Sequence, residues 1–109
     1  MDIHIIVVKW QKNYNMAEIK KGDIVVNYNR RWIGIFDRWF QKPYESAFWS
    51  YCLDPDGKFY KMKPLEILSG AFPATELEKK KFKKAALKAG YSYYRGKIIQ
   101  ELWLKKVIL

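Results

Sequence analysis

Apolar residues fall in short runs separated by turn chemistry along most of the chain. Asp2 to Trp10 is rich in Ile and Val and predicts a strand, followed by a polar turn or linker at Gln11 to Asn15. Lys21-Gly22-Asp23 breaks the chain direction, and Ile24-Val25-Val26 starts a second strand. Asn27 to Arg31 is a polar hairpin connection, and Trp32-Ile-Gly-Ile-Phe36 predicts a third strand. Its alternation puts Arg31, Ile33 and Ile35 on one face and Trp32, Gly34 and Phe36 on the other. Gly34 inside a strand points to a bulge or to close approach of another backbone. Asp37 to Ser46, broken by Pro43, reads as a loop, and Ala47 to Leu53 as a fourth strand. Asp54-Pro55-Asp56-Gly57 is the clearest turn, with Lys58 to Met62 as the returning strand of a hairpin. Pro64 to Phe72 is a connector with one helical turn at Leu65 to Leu68.

One stretch changes period. In Thr75-Glu-Leu-Glu-Lys-Lys-Lys-Phe-Lys-Lys-Ala-Ala-Leu-Lys-Ala-Gly90, Thr75 and Glu78 have capping-box spacing and Gly90 supplies a left-handed stop. The pattern predicts a helix over Glu76 to Ala89. At 100° per residue, Phe82, Ala85, Ala86 and Ala89 share the inward arc. Leu77 and Leu87 fall among the lysines, so either the helix is buried on two sides or Leu87 belongs to a contact surface. Tyr91 to Tyr94 and Lys97 to Ile99 flank Arg95-Gly96 as a short hairpin, and Gln100 to Leu109 fits either a strand or a helix.

Short strands followed by one helix predict an α+β fold: a small antiparallel sheet or SH3-like partial barrel, one basic helix, then a C-terminal hairpin and extension. Gly22 to Met62 has about the length and strand rhythm of such a barrel. The expected organisation is a single domain over 1–109. It has an N-terminal strand extension at 1–15, a strand-rich sheet at 20–63, the basic helix at 75–90, and a hairpin with an apolar tail at 91–109. Met16 can also serve as a start codon, which would leave 1–15 as an added segment.

Charge sharpens this picture. The 109 residues carry a formal net charge of +10. Pro73 to Leu109 holds ten Lys and Arg against three acids, so most of the excess lies in and after the helix. A concentrated positive helix favours anionic surfaces. Three groups of residues are candidates for phosphate or other anion contact. The first is Lys79, Lys80, Lys83, Lys84 and Lys88 on the helix. The second is Arg30, Arg31, Arg38 and Trp39, where guanidinium groups can fork onto phosphate and an exposed indole can stack on a base. The third is Arg95 with its neighbouring tyrosines.

Other chemistry finds little support. Cys52 is the only cysteine and His4 the only histidine, which rules out an internal disulfide and a zinc site by count. Cys52 reads as a small apolar strand residue. There is no Gly-rich phosphate loop, no Ser-His pair and no H-E-x-x-H. No cofactor is expected. No apolar run approaches the ~18 residues that cross a bilayer, and the N-terminus lacks signal-peptide features, so a cytoplasmic protein without membrane contact is expected.

Phe72-Pro-Ala-Thr-Glu-Leu-Glu-Lys79, Phe82 and Leu87-Lys-Ala-Gly-Tyr91 resemble the P-A-T-E-x-E-K…L-x-x-A-G-Y endings of small proteins from Bacteroidetes bacteria, their phages and mobile elements. Lys20-Lys-Gly-Asp23 and Gly34-Ile-Phe36 echo the sheet-forming front half of those proteins. The resemblance spans about Lys20 to Ile98. The chain departs from it with Tyr93 where Trp is usual, with more Lys in the helix, and with extra apolar segments at both ends. It implies a phage or mobile-element setting and transfers no site residues.

Together these readings predict a non-enzymatic basic binding protein whose partner is RNA, DNA or a nucleoprotein complex. An anti-CRISPR-type inhibitor of a host defence effector fits that setting. An acidic protein surface would answer the same charge. The alternative is a structural or scaffold component that self-associates through its apolar terminal strands, Ile3–Trp10 and Leu102–Leu109.

Overall fold

A computed structural model describes residues 19–40, 46–63 and 66–100 of the chain. The strands are β1 (Ile24–Val26), β2 (Ile33–Trp39), β3 (Ser46–Leu53), β4 (Phe59–Lys61), β5 (Ile67–Ser69) and β6 (Phe72–Pro73). Helix α1 (Glu76–Lys88) follows, then β7 (Tyr91–Tyr94) and β8 (Lys97–Gln100). The main sheet runs β4-β3-β2-β1-β6 with antiparallel pairing throughout, and β5 pairs the start of β3. β7 and β8 form a separate two-stranded sheet. The result is a small α+β domain: an antiparallel sheet, one long helix and a C-terminal β-hairpin.

The sheet is apolar on both faces, which explains why its central strands read as near-continuous hydrophobic runs. On one face Ile24, Val26, Ile33, Ile35 and Leu53 pack around Phe82 of the helix. On the other, Val25, Phe36, Trp49, Cys52 and Met62 form a second core, with Trp32 partly buried against it. The alternation within β2 is therefore the expected one, and each of its faces meets a different core. Gly34 lets this happen. A Cβ there would intrude on the Trp49 ring and the Tyr51 carbonyl oxygen, so the indole lies directly over bare backbone.

The turns obey local chemistry. In the β3–β4 turn, Asp54 Oδ1 accepts the N–H groups of Asp56 and Lys58, both at 2.9 Å, and Gly57 takes φ 89°. Before β1, Asp23 Oδ2 accepts the Lys20 N–H at 2.9 Å, and Gly22 takes φ 98°. The β7–β8 hairpin docks on this second turn. The Tyr93 hydroxyl donates to the Gly22 carbonyl at 2.7 Å, and any side chain on Gly22 would meet the Gly96 backbone.

Three expectations need correction. Asp37 to Trp39 is not loop, because β2 continues through Trp39. Register shifts between Ile35 and Phe36 and between Phe36 and Arg38 bend the strand. They let the Asp37–Arg38 ion pair lie within it. Trp39 is accordingly half-buried, edge-on to Phe36 at 4.9 Å, and belongs to the second core. The helical turn expected to end at Leu68 is replaced by β5, whose Ile67 and Leu68 pair Phe48 and Ala47. The connector also contains β6. Pro73, which lacks an N–H, sits in it opposite Val25 at the sheet margin. The expected strand and linker within Asp2–Asn15, the break at Pro43 and the tail beyond Gln100 lie outside the described residues.

Candidate functional site

The helix is fixed at its N-terminus by a full capping box. Thr75 Oγ1 accepts the Glu78 N–H at 3.2 Å, while Glu78 Oε1 accepts the Thr75 N–H at 2.8 Å. Gly90, at φ 91°, ends it. A third group joins the cap from far away in sequence. Arg30 occupies the left-handed region at φ 61° in the β1–β2 turn. From there its Nε donates to Glu78 Oε2 at 3.0 Å, and its Nη2 donates to Glu78 Oε1 and to the Pro73 carbonyl at 3.3 Å. The guanidinium thus ties the sheet to the start of the helix in a bidentate fork.

Burial works to raise the Glu78 carboxyl, but the Arg30 fork and the Thr75 N–H outweigh it and hold the group below the usual carboxylate range. A carboxyl depressed in the folded state contributes stability above its unfolded value, about 4.3, and that contribution fades as pH falls through the folded value. Wild-type protein should therefore lose more unfolding free energy between about pH 5 and about pH 2 than Glu78→Gln. The amide can still accept from Thr75 but carries no charge at either pH. Urea midpoints at the two pH values check this, and equal losses would contradict it.

Because Arg30 takes Glu78, and Glu76 lies 3.4 Å from Lys79, both acids of the helix are already paired. The lysines then divide by angle around the axis. Lys79 and Lys83 flank one side, where a groove of about 400 Å³ also contains Asp23, Glu76 and Tyr93, with Lys83 Nζ 5.6 Å from the Tyr93 ring centre. Lys80, Lys81, Lys84 and Lys88 are exposed on the outward and opposite sides. Among the described residues they have no carboxylate partner. Leu77 and Leu87 stand exposed beside them, at 77% and 57%. Leu87 is therefore part of the lysine surface and not of the core, which is carried by Phe82 and Ala86, both fully buried.

Lys81, Lys84 and Lys88 also rim a second groove, of about 430 Å³, between the helix and the β3–β4 hairpin. Leu53, Phe59 and Ala85 line it, with Gly57 and Ala89 at its margins. Among the described residues no carboxylate lines this groove. Lys81 is not among the helix lysines that the sequence pattern singles out. Its position one turn before Lys84 and Ala85 is the signal that could have found it.

The other candidate residues are dispersed. Arg31 is exposed in the β1–β2 connection, its N–H donating to Asn29 Oδ1 at 3.0 Å. Arg38 pairs with Asp37 and lies 4.3 Å from the Phe48 ring centre. Arg95, at φ 47°, lies 5.2 Å from the Tyr94 ring centre in the β7–β8 turn. Only the helix brings several candidates to one surface.

Cys52 is fully buried, and burial pushes its thiol up to about 12, the hydrogen bond with Tyr60 working the other way. It packs as the apolar strand residue expected of it and is inert as a nucleophile. Among the described residues no group of three or more His, Cys, Asp or Glu side chains could hold a metal, and no helix is long and apolar enough to cross a membrane.

No protein-family model matches the sequence, and no curated protein or solved structure is significantly similar to it.

Proposed function

We propose that this protein is a non-enzymatic nucleic-acid-binding module that uses the outward side of α1 as its phosphate-contacting surface. The observation that carries this reading is the set of exposed lysines, Lys80, Lys81, Lys84 and Lys88, which have no ion-pair partner among the described residues and lie away from the Asp23 and Glu76 carboxylates that share a groove with Lys83. Lysines in that state release phosphate counterions on binding, which favours association with RNA or DNA without sequence preference. Arg30 is better read as a tether of the fold, and Trp39 as a core residue, so neither belongs to the proposed surface. Arg31 and Arg95 would add peripheral contacts, and Lys79 and Lys83 weaker ones.

In architecture, we read the main sheet as an SH3-like partial barrel. The Tyr28 N–H donates to the Ser69 carbonyl at 3.1 Å, drawing the end of β5 toward the β1–β2 turn, while β6 continues onto β1. In setting, a phage or mobile-element origin and a role as an anti-CRISPR-type inhibitor of a host nucleoprotein remain consistent proposals. They rest on the P-A-T-E-x-E-K resemblance and on a surface that would compete for a nucleic-acid channel.

A second reading is favoured by Leu77 and Leu87: an acidic protein partner that also covers apolar side chains. Self-assembly through Ile3–Trp10 and Leu102–Leu109 concerns residues outside those described. Binding of a generic labelled single strand, followed by fluorescence anisotropy as salt is raised, separates these readings. The nucleic-acid reading expects clear binding at low salt that weakens steeply. No binding at low salt, or a flat response, contradicts it.

A further inference from the structure

The two grooves beside α1 differ in a way that bears on which nucleic acid is bound. The groove on the Lys79–Lys83 side is charge-balanced, because Asp23 and Glu76 share it. The groove on the Lys81–Lys84–Lys88 side has three cations and, among the described residues, no lining acid. In the adjoining turn, the Asp54 carboxylate is directed at the N–H groups of Asp56 and Lys58. Lysines at i, i+3 and i+7 follow one wall of the groove for about 10 Å of helix. The facing wall and floor are apolar, formed by Leu53, Phe59 and Ala85. Phe59 is held in place by stacking on Tyr51 at 5.9 Å and by an edge contact with Phe82 at 5.3 Å, so its ring is preorganised. At about 430 Å³ the groove lies within the roughly 300–1,000 Å³ typical of small-molecule sites.

We propose that this groove receives an unstacked base of a single-stranded nucleic acid while Lys81, Lys84 and Lys88 hold the adjoining phosphates, so that the protein prefers single strands to duplex. This rests on the nucleic-acid reading above. The physical reason is that a lysine face alone cannot tell the two forms apart. A duplex keeps its bases stacked inside and would leave the apolar wall uncovered. A single strand can turn one base onto Phe59 while its backbone stays on the lysines, the combination of cationic track and aromatic platform that sequence-tolerant single-strand binders use.

The test compares a labelled oligothymidine with a hairpin duplex of equal phosphate number at one salt concentration. The expected result is tighter binding of the single strand by about tenfold or more, the order of one stacked base. Ala85→Met and Ala89→Leu, which fill the groove from the helix side with aliphatic atoms that offer no ring to stack on, should each bring the single-strand affinity down to that of the duplex. The second variant alters an exposed position at the helix end, so it tests the groove even if the first fails to fold. Equal wild-type affinities for the two forms would overturn the proposal and leave nucleic-acid binding standing. So would a preference that survives in a folded groove-filled variant. Displacement of the strand by polyglutamate of equal charge concentration would also overturn it, in favour of an acidic-protein site. Failure to bind either nucleic acid would remove the broader reading as well.

Discussion

Replacing Phe82 with alanine should destabilise the protein by about 3–5 kcal/mol, the largest loss expected from any single side chain of the helix. Phe82 is fully buried and is the residue through which α1 meets Ile24, Val26, Ile33, Ile35 and Leu53. Its removal strips the helix of its anchor and leaves a cavity that the flanking strands, each hydrogen-bonded to neighbours, cannot close. Since small domains have only about 5–15 kcal/mol in total, the variant should unfold near the start of a urea titration. Leu77→Ala is the internal control. Leu77 is on the same helix but 77% exposed, and its truncation should change stability by no more than about 0.5 kcal/mol. Urea midpoints for the two variants check the pair of expectations. A similar loss for both would mean that the helix packs differently from the arrangement described.

The second large effect concerns the surface. Charge reversal of Lys81, Lys84 and Lys88 to Glu should lower affinity for a single-stranded oligonucleotide by at least about a hundredfold at low salt. Each lost phosphate contact is worth on the order of 1 kcal/mol at close range in water. Repulsion from the new carboxylates adds to the loss. The fold should persist, because all three side chains are exposed and outside the two cores. Reversal of Lys79, already paired with Glu76 on the charge-balanced side, should cost far less. Circular dichroism and urea midpoints confirm folding, and anisotropy reads affinity. A Lys79 reversal that cost a third of the triple variant's loss in binding free energy, the same charge for charge, would show that only total charge matters, not the divided lysine surface.

How much of this was legible from the residues depends on the range of the interaction. The helix was legible because its signals are local. Thr75 and Glu78 lie three residues apart, Gly90 stops the chain, and Phe82 and Ala86 occupy the inward arc. The Asp54–Gly57 turn and the β7–β8 hairpin were legible for the same reason. The end of β2 was not, because Asp37 and Arg38 look like loop residues until the register shifts are known. Strand β5 has no period of its own and is specified by its partner, Ser46–Phe48. The role of Arg30 was hidden for a different reason. Read beside Arg31 and Trp32 it looks like a phosphate ligand, yet its partner Glu78 is 48 positions away. The division of the lysines into a balanced flank and an unbalanced one likewise depends on Asp23 and on the β3–β4 hairpin, which helical periodicity alone does not locate.

Phosphate contact by Lys80, Lys81, Lys84 and Lys88 is read out by the salt dependence of binding. The logarithm of the observed binding constant for a single-stranded oligonucleotide should fall with the logarithm of salt concentration at a slope of about −3, as roughly four phosphate contacts require. In the Lys81, Lys84 and Lys88 charge-reversal variant the slope should shrink to about −1 or less. A wild-type slope near zero, or one that the variant leaves unchanged, would contradict the account.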